Sequence, residues 1–93
     1  ATRPGRERIL AVHVWHHASD RGALARDLAA ALRPGGHVVV VEFAVDAVRG
    51  PPPHLRVAPD VVVAELAAAG LVARVSPVEV PDQYLVEARR DPW

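Results

Sequence analysis

The run Val38-Val39-Val40-Val41, set just behind Leu32-Arg33-Pro34-Gly35-Gly36, constrains what this chain can fold into more than any other feature. Four β-branched residues in succession lose χ1 freedom against a helical turn and pack well on a pleated surface, so the run is a strand. An unbroken apolar run, unlike an alternating one, belongs to a strand buried on both faces, as in a parallel sheet covered by helices. Pro34 cannot continue a helix and the two glycines accept a left-handed terminus, so any preceding helix stops there. Such a helix is present: Leu24, Leu28, Ala31 and Leu32 recur at spacings of three and four, and Ser19 or Asp20 can cap its start. Before it, behind the polar lead-in 1–7, Ile9 to Val14 forms a second short apolar run. Residues 8–43 therefore read as a βαβ unit with parallel strands and a right-handed crossover.

Residues 44–57 form a loop stiffened by Pro51-Pro52-Pro53. In the last segment, 58–93, Pro59 suits the first turn of another helix, with Val62, Val63, Leu66 and Ala69 on its apolar face and Gly70 as its stop. Leu71 to Val80 then reads as a strand interrupted by Pro77, with Gln83 to Arg89 as its partner and Pro81-Asp82 as the turn between them. The expected class is α/β, in the order β-α-β-loop-α-β-β with a terminal antiparallel hairpin, as a single unit over 1–93.

Composition narrows the function classes. Eleven arginines and no lysine balance eleven acidic residues. The basic residues are scattered, so no nucleic-acid footprint is expected. No apolar run approaches the roughly 20 residues that span a bilayer and no secretory signal precedes them, so a cytoplasmic chain without membrane contact is expected. Zero cysteines exclude disulfides, thiolate metal sites and a Cys nucleophile. Met is also absent and the chain opens on Ala1-Thr2-Arg3-Pro4-Gly5, which leads to the expectation of missing N-terminal material.

Element order and joint residues together resemble the second half of the class I S-adenosylmethionine-dependent methyltransferase fold, a Rossmann-like sheet. Leu32-Arg33-Pro34-Gly35-Gly36 before Val38 to Phe43 is similar to the family's L-[RK]-P-G-G turn and fifth strand. Arg6 to His17 is similar to its fourth strand and the following loop, which often ends in paired histidines. Gly50-Pro51-Pro52-Pro53, Pro59-Asp60-Val61, Ala67 to Leu71 and Pro81-Asp82-Gln83-Tyr84 resemble later landmarks of a bacterial subgroup acting on small molecules. The resemblance implies S-adenosylmethionine as cofactor, a small-molecule acceptor, and backbone from Ala11, Val12, His13 and Val14 along the cofactor's methionyl part. The family's Gly-rich loop and its ribose-binding acidic residue have no counterpart here, since Gly35-Gly36 follows a helix and precedes a strand. The chain is thus expected to need a complementary N-terminal half, or a second copy, to bind cofactor.

Methyl transfer from a sulfonium needs donor and acceptor held in line and, for oxygen or nitrogen acceptors, a base. His16 and His17, just beyond the carboxyl end of a parallel strand, are the catalytic candidates, because ligands of open α/β sheets bind at that edge. Helix capping or packing on Trp15 is the competing reading for each. Glu42, at the end of the second strand, is a candidate to orient an acceptor or the loop after it, against a surface ion pair. Arg56 is a candidate for recognising an anionic acceptor, against simple solvation, and Trp15 for walling the acceptor pocket, against a core position. His13, His16, His17 and Asp20 also invite a metal-dependent hydrolase, but their spacing fits no ordinary zinc motif and no metal is expected. The alternative to a methyltransferase is a non-catalytic α/β module that pairs through an exposed sheet edge.

Overall fold

The computed structural model describes residues 5–90. Six main elements follow one another: strand β1 (Arg6–Val12), helix α1 (Arg21–Ala31), strand β2 (Leu32–Phe43), helix α2 (Pro59–Ala68), strand β3 (Val72–Val75) and strand β4 (Gln83–Arg89). Single 3-10 turns lie at Trp15–His17 and Pro53–Leu55. Of the expected lead-in 1–7, residues 1–4 are outside the described residues, as are 91–93. Arg6 and Glu7 already belong to β1.

The strands form one sheet in the order β1-β2-β4-β3. β1 and β2 pair in parallel, while β4 is antiparallel to both β2 and β3. The βαβ unit and the terminal hairpin are therefore present, and the hairpin's second strand inserts beside β2 so that β3 takes the edge. The expected strand Leu71 to Val80 stops at Val75. Pro77 has no N–H to donate to a ladder, and the Ser76 hydroxyl instead accepts from the Val78 N–H at 3.2 Å, bending the chain away.

Between Ser19 and Asp20, the cap of α1 is Asp20, whose carboxylate accepts from the Ala23 N–H at 2.9 Å. The C-terminal end of α1 is held by Arg90, which donates to the Ala29 and Leu32 carbonyls and places a cation at the negative end of the helix dipole. The Pro-Gly-Gly segment does more than stop the helix. β2 begins at Leu32, pairs with Arg6, loops outward, and resumes at His37 opposite Arg8. Within this bulge Gly35 takes φ +80°, and a Cβ on Gly36 would lie 2.8 Å from the backbone oxygens of both Arg33 and Arg6.

Alternation then sorts the side chains. Val38, Val40 and Glu42 of β2 pair with Ala88, Val86 and Tyr84 of β4, and all six are buried. They share a core with Ala25 and Ala29 of α1 and Val62 and Leu66 of α2. The opposite face carries Leu10, Val12, Val39, Val41 and Leu85, of which Leu10 remains 68% exposed. The run Val38 to Val41 is thus buried fully on one face and only partly on the other, where burial on both was expected. The physical reason is that α1 and α2 both pack on the same face.

Candidate functional site

β1 and β2 are adjacent and parallel, so their carboxyl ends lie side by side and the segments that follow them meet. After β1 the chain turns at His13, which adopts φ 57°, and its N–H donates to the Val41 carbonyl at 2.9 Å. The His13 ring stacks on Phe43 with centroids 4.3 Å apart, and its Nε2 lies 2.6 Å from Gln83 Oε1. His13, expected on the strand, is instead a turn residue whose ring lies against the end of β2.

The next turn, Trp15–His17, separates three neighbours into three environments. Trp15 has no exposed surface, and its indole N–H donates to Glu65 Oε1 at 3.0 Å. It lies in the core and presents nothing to a molecule at the surface. His16 is half-buried: its backbone N–H donates to Glu42 Oε2 at 2.9 Å, and its ring Nδ1 lies 2.8 Å from Glu42 Oε1. His17 is exposed and meets the His16 ring edge-on at 5.1 Å between centroids.

Glu42 is placed beneath the turn that carries His16. Its side chain has no exposed surface, so it makes no surface ion pair and does not reach a bound molecule directly. Its oxygens accept from the His16 and Phe43 backbone N–H groups, the latter at 2.8 Å. A carboxylate accepting at both oxygens is matched by a ring donating at Nδ1, which leaves the His16 lone pair on Nε2. The side of the sheet on which Glu42 lies had a readable signal, though its partner did not: Glu42 has the parity of Val38 and Val40, so whichever face buries them buries it.

Arg56 ties backbone together through Nε and Nη1. Its Nε donates to the Pro51 carbonyl at 2.9 Å, and Nη1 to the carbonyls of Ala47 at 2.7 Å and Val45 at 3.2 Å. It staples the 44–57 loop into shape instead of standing free in solvent. Arg21, unremarked in the sequence, donates from Nε to both oxygens of Glu65 at 2.9 and 3.0 Å. Of the expected cofactor residues, Ala11 is buried, Val12 lies on the open face, and Val14 packs partly against the core. Among the described residues, no three His, Asp or Glu side chains converge as metal ligands.

His16, Arg21, His54 and Arg56 line one cleft of about 530 Å³ between the 3-10 turn, the loop and the start of α2. Val45, Leu55 and Val61 add apolar wall. A larger recess, about 740 Å³, lies beside residues 76–81; among the described residues Glu79 is its one charged lining residue and no histidine lines it. The smaller cleft is the one at the carboxyl edge of the parallel strands, where the chemistry of such sheets is carried.

No family model and no curated protein matches the chain. Solved structures do. An S-adenosylmethionine-dependent methyltransferase from Aquifex aeolicus superposes with a TM-score of 0.73 at 21% identity, over 91% of this chain and 47% of that one. An O-methyltransferase from neocarzinostatin biosynthesis, in complex with S-adenosyl-L-homocysteine and 1,4-dihydroxy-2-naphthoic acid, gives 0.73 at 21%, over 95% and 30%. A glycopeptide N-methyltransferase complexed with S-adenosyl-L-homocysteine gives 0.70 at 15%, over 98% and 57%. The chain has the class I methyltransferase fold and spans about half the length of these structures or less.

Proposed function

We propose that this chain forms the acceptor side of a small-molecule methyltransferase, with His16 as the base and Glu42 as the residue that positions it. The observation that carries this reading is the His16–Glu42 pair: a fully buried carboxylate holding an imidazole at the carboxyl edge of two parallel strands. With Nδ1 held by Glu42, Nε2 takes the proton from an acceptor hydroxyl or amine as that atom gains the methyl group. S-adenosylmethionine, when bound, would supply the methyl as a sulfonium substituent. The residues present fit one edge of such a site only: the turn at His13 offers backbone, while the chain contains no Gly-rich turn leading from a strand into a helix. Cofactor binding is therefore assigned to this chain joined to a half that carries that turn.

Calorimetric titration with S-adenosylhomocysteine tests the reading, first on the chain alone and then on its mixture with the polypeptide encoded next to it. Binding in the mixture alone, together with methyl transfer that His16→Gln abolishes, is the expected result. A folded mixture that binds no S-adenosylhomocysteine would sink it.

A second reading, a non-catalytic module pairing through the sheet, has one observation in its favour. Among the described residues β1 is one of the sheet's two edge strands, opposite β3, and its own Leu10 and Val12 are 68% and 43% exposed. Self-association of the chain without any cofactor response would favour it.

A further inference from the structure

We infer that the cleft beside His16 takes an organic anion, with a carboxylate or similar group held by Arg21, His54 and Arg56 and an apolar body lying on Val45, Leu55 and Val61. The chain as a whole is neutral, with eleven basic and eleven acidic residues. The cleft does not share that balance: among the described residues, two arginines and two histidines line it and no carboxylate does. Two carboxylates that touch lining residues face them from outside the cleft. Glu42 is sealed beneath His16, and Glu65 accepts from both Trp15 and Arg21. Asp60 sits in the first turn of α2 but is exposed and outside the lining.

Both guanidinium groups are fixed in place while keeping donors in hand. Arg21 is held through Nε alone, and Arg56 through Nε and Nη1. Among the described residues, both Nη groups of Arg21 and the Nη2 of Arg56 have no protein partner, so an anion meets N–H groups that are already ordered. Pre-ordered donors lower the entropy lost on binding. The apolar wall opposite selects against a bare inorganic ion, since a phosphate would leave Leu55 and Val61, 40% and 37% exposed, in water.

The identification of this anion as the methyl acceptor rests on the reading of His16 as base; its binding does not. The two are separated by titrating the 15N-labelled chain, alone and with its cofactor-binding half, with 6-hydroxy-2-naphthoate and with the neutral 6-hydroxy-2-naphthamide. The naphthoate is expected to shift the amides of Ala18, Val45 and Leu55, and the carboxamide to bind at least tenfold more weakly. Arg21→Gln and His54→Asn, which leave the Arg56 staple intact, are each expected to weaken the naphthoate several-fold, as is raising the salt concentration tenfold. Equal binding of acid and amide, shifts confined to residues 76–81, or no binding in either preparation overturns the inference. Naphthoate bound in the cleft with no methyl transfer in the mixture upholds the inference and overturns the methyltransferase reading alone.

Discussion

At the scale of single residues, the buried carboxylate of Glu42 governs what His16 can do. Glu42→Gln keeps the shape but brings an amide N–H₂ group into a place where every neighbour donates, so the ring is expected to shift its proton to Nε2. Imidazole 15N spectra check this, and methyl transfer in the complemented enzyme is expected to fall tenfold or more. An unchanged tautomer with an unchanged rate would reduce Glu42 to a structural role. Leaving donors unpaired in the core is expected to cost about 1–3 kcal/mol in chemical denaturation. Tyr84 supports a second prediction. Its hydroxyl donates to the Val57 carbonyl, and burial first, then the nearby carboxylates of Glu42, Asp60 and Glu65, push its pKa well above the ordinary 10. The folded pKa being raised, the contribution is complete below about pH 10 and is lost as pH climbs through the alkaline range. Tyr84→Phe is expected to lower stability by about 1 kcal/mol at neutral pH and to flatten its decline above pH 10, as read from urea midpoints across pH. Neither partner of Tyr84 nor that of His16 was legible in sequence, because each pair joins residues 26 or more apart that only the packing of loops against the sheet brings together.

At the scale of elements, caps and breakers were largely legible, because they act on backbone within a few residues. Asp20 was one of two candidates for the α1 cap, and Asp20→Ala is expected to cost about 1 kcal/mol in a denaturation experiment. Pro34-Gly35-Gly36 was read as a helix stop, yet its stronger requirement is steric. Gly36→Ala drives a methyl group into two backbone oxygens that cannot rotate away, so the bulge must shift. The expected loss is about 1–3 kcal/mol, with faster hydrogen exchange at Arg8 and Leu10 than elsewhere in the sheet. A helix that merely ended one turn later would leave those amides protected. The bulge was invisible in sequence because it depends on which residue of β1 lies opposite.

At the scale of the whole molecule, one sheet face is covered by α1 and α2 and the other presents a row of half-exposed aliphatic residues centred on Leu10 and Val12. The chain covers only 30% to 57% of the solved structures that share its fold. Leu10→Lys is expected to leave the isolated chain's stability within about 0.5 kcal/mol, since the side chain is already 68% in water. If the proposed complementary half or a second copy covers this face, the substitution weakens that association in sedimentation velocity. Unaltered association would show that this face is not the one used.

Local chemistry is what the sequence determined on its own: β-branched runs made strands, spaced leucines and alanines made a helix, Pro and Gly punctuated them, and their order sufficed for the fold class. The position of His16 after the first strand belonged to the same layer. Tertiary structure alone decided that both helices share one sheet face, that Glu42 is buried under His16 and not exposed beside it, that Trp15 is core, and that Arg56 holds a loop. The reason is that side-chain alternation assigns residues to faces, but which face is covered depends on helix placement, and that is set by contacts between residues far apart in the chain.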